Sequence, residues 1–344
     1  MNISKAAYGL IILIAIVLIL VYIKDIIIPF ILALIIWFII REVQRLIARL
    51  KIRGRSLPAW IRGLLSFAII FGALGLLVNL LAINIQGISK VLPSYEKNLN
   101  VVRESIDESL GIDMMAQLRD ISGDFDFANI VSSLLNSLTT LIGNAFLIII
   151  YVAFLMLEQR FFRKKFNALY QDDEKQERAN RILESIDESL SKYVNLKTVI
   201  SITTGAMSYI ALSIIGVDFA FFWAFLIFVL NYIPTIGSLI ATLFPAIIAS
   251  VQFGGLEQSL YVIIAVGSIQ VIVGNVIEPR VMGNSLNISS LVVILSLAFW
   301  GSIWGVVGMI LSVPIMVMLV ITFAQFKETR SLAVLLSDKG ILID

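Results

Sequence analysis

The residues most able to do chemistry stand where charge and amide groups are out of place. Glu278 and Arg280 flank Pro279 at the end of an apolar run, with Gln270, Gly274 and Asn275 just before them. A charged side chain inside a bilayer costs about 2.5 to 3.5 kcal/mol on insertion scales, so a carboxylate and a guanidinium in such a place are functional candidates. Two roles fit the pair: a plain ion pair that pins the start of the next segment, or a gate and proton-coupling site. Asn231 and Thr235, on either side of Pro234, offer an amide, a hydroxyl and carbonyls freed by a break in the helix. Those are the groups a polar neutral solute or a small cation needs. Gly237 belongs to the same break, or serves close helix packing. Asp218 is placed to cap the helix that follows it. Lys24 and Asp25 fall between the first two apolar runs, where water can hydrate them.

Much chemistry is excluded by what the 344 residues lack. There is no cysteine and no histidine, which removes disulfides, thiolate nucleophiles, the usual zinc ligands and the usual general base. No Asp-Asp pair or Ser-Lys dyad is evident inside the apolar runs, so an intramembrane enzyme is not expected. No phosphate-binding loop of the Gly-x-x-x-x-Gly-Lys-Ser/Thr type is present, so the chain is not expected to drive transport by its own ATP hydrolysis. No cofactor and no metal are called for.

The elements that must position these residues are membrane helices. The chain is 59% hydrophobic and 15% charged, against about a quarter charged in soluble domains. Runs 6–23, 26–40, 63–83, 138–157, 199–215 and 260–277 each suit one crossing, since about 20 residues span ~30 Å of hydrocarbon. Runs 219–251 and 291–323 are too long for one crossing. The first contains Asn231 to Gly237, with Pro234, and the second Gly301, Gly305 and Gly308. Each is expected to break and fold back, or to cross twice through a tight turn, with the broken backbone kept away from lipid. The fold class is therefore an all-α polytopic membrane protein of six single spans plus two broken-helix hairpins, counted as about eight transmembrane segments.

Charge sets the topology. Residues 41–62 hold seven bases against the single acid Glu42, which places them and the N-terminus in the cytoplasm. Residues 84–136 carry eight acids against four bases and belong outside; Arg160, Arg163, Lys164 and Lys165 bring the chain back in. The C-terminus then ends inside, and the two span-plus-hairpin segments enter from opposite faces as inverted repeats. In that transporter plan the substrate site lies near the midplane, where the broken tips meet. The expected organisation is 1–83, N-terminal spans with a basic cytoplasmic segment; 84–136, an extracytoplasmic helical segment; 137–198, the fourth span and a cytoplasmic helical segment; and 199–344, a transport core. Tyr95, Leu99, Val102, Ile106 and Leu110 recur at helical spacing, as do Ile182, Ile186, Leu190 and Tyr193. The heptapeptide Glu-Ser-Ile-Asp-Glu-Ser-Leu occurs at both 104–110 and 184–190. The basic segment alternates with Leu46, Ile47 and Leu50, which suits an anionic lipid surface and not nucleic acid.

At these motifs the chain resembles the autoinducer-2 exporter family, in its quorum-sensing signal transporter branch. The resemblance runs from Ile28-Pro29-Phe30 through Leu230 to Ser238 and Gly274 to Gly283, and on to Gly308 to Pro314. It implies a bacterial inner-membrane protein of eight segments that exports the furanosyl signal autoinducer-2, or exchanges sodium or lithium for protons. It also implies a homo-oligomer, a pentamer in some members. One departure is Ser238, where the family often has proline. The expected partners are thus a small polar solute or a monovalent cation, membrane lipid, and further copies of the chain.

Overall fold

The computed structural model describes residues 3–49, 51–52, 55–110, 143–169, 172–282, 287–338 and 340. The expectations for 111–136, for the first residues of run 138–157 and for the side chains of Leu99, Val102, Ile106 and Leu110 lie outside the described residues. Among the described residues the protein is helical apart from two antiparallel two-residue strands, Lys51–Ile52 and Arg55–Ser56. Seven of the described helices are long and apolar enough to cross a membrane. The chain is a polytopic α-helical membrane protein. It divides into two compact units, 1–68 with 144–196 and 284–344, and 69–143 with 197–283.

In the first unit, α1 (Ile3–Tyr22) and α2 (Lys24–Arg49) are joined at Ile23, and Lys24 and Asp25, which open α2, are exposed. The C-terminal end of α2 carries a polar latch. Arg41 forks onto Asp187 at 2.5 and 2.9 Å while its guanidinium lies 4.7 Å over the Trp37 ring, and Asn195 donates to Glu42 at 3.2 Å. Trp37 donates its indole N–H to Gln159 of α4 (Ala145–Asn167) at 3.1 Å. Asp187 and Asn195 belong to α5 (Asp173–Ile215), a single 43-residue helix that joins the amphipathic stripe of 182–193 to the span of 199–215. Asp187, and Glu184 which accepts from Arg163 at 2.8 Å, are two of the seven residues of the second heptapeptide. At 184–190, at least, those acids serve to fix basic helix ends.

Run 291–323 becomes α10 (Ser290–Ala324), and it folds back on itself. Ser296 donates to the carbonyl of Ser312 at 3.1 Å, whereas 16 residues of straight helix would hold them about 24 Å apart. Gly305 makes the reversal at φ 59° and ψ −140°, a conformation that only glycine adopts freely. Any Cβ on Gly308 would overlap the Trp300 carbonyl across the bend. Trp304, at the apex, donates its indole N–H to the Leu20 carbonyl at 3.1 Å, which ties the hairpin tip to the last turn of α1. The short α11 (Arg330–Leu336) closes the base, where Ser289 N–H donates to the Leu336 carbonyl at 3.0 Å.

The second unit holds most of α3 (Ala59–Leu110), which continues unbroken for 52 residues from its membrane part, ending near Ile88, into the acidic segment. Run 219–251 resolves into α6 (Ala220–Leu230) and α7 (Ile236–Phe253). The 11 residues of α6 reach only about 16 Å, short of the ~30 Å hydrocarbon thickness. The arms pack antiparallel, with the Trp223 and Phe244 rings stacked at 6.5 Å. α3 clamps the base of this hairpin. Tyr95 donates its hydroxyl to Asp218 at 2.8 Å, Asn98 donates to the Val251 carbonyl at 2.9 Å, and Gly87 admits the Phe219 ring where no Cβ would fit. Asp218 thus does not cap α6 as expected. Phe219 stands at the cap position at φ 56°, the α6 cap has no side-chain hydrogen bond, and the Asp218 carboxylate takes Tyr95 instead. Its own N–H donates to Gln252 at 2.7 Å.

Candidate solute site

The tip of the first hairpin is built from an unusual turn. Ile236 N–H donates to the Pro234 carbonyl at 2.6 Å, and Thr235 between them sits at φ 60° and ψ −61°. That is a γ-turn of the rare, strained kind. Proline supplies the fixed φ before it, and Ser238 donates its hydroxyl to the Thr235 carbonyl at 2.8 Å, closing the turn. The serine hydroxyl contributes here a hydrogen bond that a proline would lack. Gly237 packs so closely on the Leu230 carbonyl that any Cβ would overlap it. Gly237 and Gly308 therefore do the same work in their two hairpins: each lets a returning arm press on a carbonyl of the arm before it.

Asn231, 7% exposed, ends α6 and donates its amide to the Ser201 hydroxyl of α5 at 2.9 Å. The Tyr232 hydroxyl and that of Thr198 lie 2.7 Å apart. One turn from Ser201 on α5, Lys197 holds the carboxylate of Glu278. Lys197, Ser201, Thr204 and Ser208 recur at spacings of four, three and four, and all are buried, the last three fully. This polar stripe on a membrane-spanning helix brings Asn231 and Glu278, which are 47 positions apart in sequence, to neighbouring turns of one element.

Gln270 arrives on α8 (Glu257–Ile272), which packs antiparallel to α7 with Gly267 facing Thr242. Gln270 is three residues further on, one turn nearer the hairpin tip; it is 6% exposed, and its Nε2 has no hydrogen-bond partner among the described residues. The Trp223 indole N–H and the Ser208 hydroxyl, also buried in this unit, likewise have no partner among the described residues. A buried polar group left unpaired costs about 1 to 3 kcal/mol, so the Gln270 amide is a candidate donor to a bound oxygen atom, of ordered water or of a solute. After Gln270 the helix loosens into a π-turn, Val273–Ile277, a form that concentrates at functional sites, and then α9 (Glu278–Met282) begins.

The eight residues singled out in the sequence thus divide. Asn231, Gly237 and Gln270 are buried in the second unit, and Glu278 is tied into it through Lys197. Pro234 is half-buried and shapes the tip, while Thr235, Asn275 and Arg280 are exposed. The proximity of Glu278 to Arg280 suggested an ion pair between them; the carboxylate goes to Lys197, because on a helix residues two apart point away from each other. Lys197 and the α5 stripe escaped sequence reasoning. The signal was there in the spacing of Lys197, Ser201, Thr204 and Ser208, masked by the apolar residues between them. Lys197 and Ser201 also form the Ser-Lys spacing that was not evident in the sequence, yet each has a separate partner, Glu278 and Asn231.

Comparison with known proteins agrees with this architecture. Residues 10–328 match the model of the AI-2E family transporters. Among relatives, the AI-2 transport protein TqsA of Escherichia coli (strain K12) is 35% identical over 318 residues, covering 91% of this chain and 90% of TqsA. A Haemophilus influenzae protein is 32% identical with 91% and 90% coverage, and YhhT of Escherichia coli (strain K12) is 31% identical with 88% and 83% coverage. With the family match running through both hairpins, α5 and the π-turn, this chain belongs to the AI-2E family of membrane transporters.

Proposed function

We propose that the chain is a secondary transporter that exports a small polar solute, the quorum-sensing signal autoinducer-2, across the bacterial inner membrane. The observation that carries the reading is the buried Asn231–Ser201 contact at the tip of a broken helix, with the Gln270 amide unpartnered one turn from the level where α7 and α8 meet at Thr242 and Gly267. These are neutral hydrogen-bonding groups, suited to hydroxyl and carbonyl oxygens, and the relative TqsA is named for AI-2 transport. Asn231 and Gln270 hold the solute. Pro234, Thr235 and Gly237 set the shape of the tip, Asn275 lies within the π-turn, and Glu278 and Arg280 follow at its end. Residues 199–344 form the transport core, with the two hairpins as inverted repeats. Both termini lie in the cytoplasm, the chain catalyses no reaction of its own, and it works as a homo-oligomer.

Uptake of autoinducer-2 into inverted membrane vesicles tests this. Vesicles carrying the protein should accumulate the signal saturably, and Asn231→Ala should lower the initial rate by about tenfold or more, given 1 to 3 kcal/mol for an orphaned buried partner. Uptake equal to that of vesicles without the protein would overturn the reading.

A further inference from the structure

Lys197 is a charge that solute binding at the tip does not require. Its side chain is 4% exposed, and that of its partner Glu278 is 25% exposed. α5 serves as a ruler for where the pair lies. Ser201, which meets the hairpin tip, stands 14 residues before Ile215 and so about 21 Å from the hairpin base; Lys197 is one turn further, at about 27 Å. The pair therefore lies just past the tip, on the side away from the hairpin base, with the solute groups on one side of it.

The two halves of the pair are held differently. Lys197 stands inside a continuous 43-residue helix. Glu278 follows a π-turn that already departs from helical register, opens a helix of only five residues, and is surrounded in sequence by the exposed Asn275, Val276, Pro279 and Arg280. A purely structural role is poorly served by such a pair, since a well-packed apolar pair in its place is commonly as stable or more so. A charge pair earns its place where it has to part and re-form.

We infer that Lys197 is the fixed, positive half of a gate on the solute path and that Glu278 is its movable, negative half. With Glu278 withdrawn, the ammonium group faces the path. It donates to the oxygens of a neutral or anionic solute, and it repels sodium and lithium as a fixed cation in a narrow pore does. The inference rests on the transporter reading for its solute, and the gate itself is tested without one.

The absence of cysteine makes that test direct, because a single introduced thiol is the only one present. Thr204 is fully buried, one turn behind Ser201 on the same stripe, and its hydroxyl bonds back to Ile200 of its own helix at 2.8 Å. Thr204→Cys is labelled with a membrane-impermeant methanethiosulfonate in inverted and in right-side-out vesicles. Labelling should be slow from both faces. Adding Glu278→Ala should speed it by about tenfold or more from the face nearer Lys197, the inner one, as expected for loss of a buried ion pair. The exchange Lys197→Glu with Glu278→Lys should restore slow labelling yet raise the entry of radioactive sodium, because the fixed half is now negative. Should the exchanged protein fail to insert, Glu278→Asp, one methylene shorter, should label at an intermediate rate. Labelling unchanged by Glu278→Ala in protein that elutes like its parent on size exclusion would overturn the gate, as would an inserted exchange variant that stays unprotected. Gate opening without signal flux would count against the solute and not the gate; signal flux with unchanged labelling would do the reverse.

Discussion

Asn231 and Ser201 meet at 2.9 Å in a site from which water is largely excluded, and the value of that contact is measurable. In a double-mutant cycle, Asn231→Ala and Ser201→Ala should each impair transport, and the pair together should cost less than the sum. A coupling energy of about 1 kcal/mol is expected, the net worth of one buried neutral hydrogen bond. Gly237 gives a sharper case. Its Cβ would strike a backbone carbonyl, which has no rotamer to escape into. Gly237→Ala should destabilise the protein by about 3 kcal/mol, at the upper end for overpacking, and appear as a loss of monodisperse protein on size exclusion. Asn231 and Gly237 were legible in the sequence because they flank a proline in an apolar run, where a helix has to break. Lys197 was not. It stands at the edge of a run that reads as an ordinary positively charged membrane boundary, and only the fold shows that the helix continues past it and that Glu278 reaches back.

Helices that look separate in the sequence turn out to be fused. The amphipathic stripe of 182–193 and the span of 199–215 are one helix, and α3 continues from membrane to acidic segment without a break. The α5 join carries no proline or glycine to mark it, and in α3 Pro93 falls at the join without ending the helix, so the sequence alone misleads there. The two hairpins were legible by length alone: 33 apolar residues exceed one crossing, and glycine and proline mark where they turn. Fusion makes the Tyr95–Asp218 contact a mechanical link between the acidic end of α3 and the hairpin base. Burial, and then the bond to Asp218 and its charge, hold the Tyr95 hydroxyl well above the usual phenol range. A tyrosine raised in the folded state stabilises below its unfolded pKa of about 10, and the contribution is lost as pH rises through the folded value. Tyr95 should therefore remain un-ionised at pH 10 and absorb as phenol; the difference titration against Tyr95→Phe reads it. Ionisation of Tyr95 at pH 10 would show that the clamp is open. In the first unit, Arg41 and Asp187 are partly exposed, so their bidentate bond should show a coupling of only about 0.5 to 1 kcal/mol in a double-mutant cycle on thermal stability.

Across the whole molecule, class and family were readable from hydropathy and a few motifs, because the bilayer admits so few solutions for a backbone that has to satisfy its own hydrogen bonds. The substrate is a different matter, since it depends on which polar side chains converge, and that convergence runs through α5, whose stripe the sequence hides. The proposed topology is checked by reporter fusions: one placed after Asp344 should report the cytoplasm, and one within 84–136 the outside. The central claim is that a neutral, hydroxyl-rich solute crosses this protein. Its most direct test is purified protein in proteoliposomes, assayed for autoinducer-2 flux and, in parallel, for proton movement driven by sodium or lithium. Saturable signal flux, lowered by about tenfold or more in Asn231→Ala and without cation-driven proton movement, is the predicted result. Cation-driven proton movement with no signal flux would contradict it.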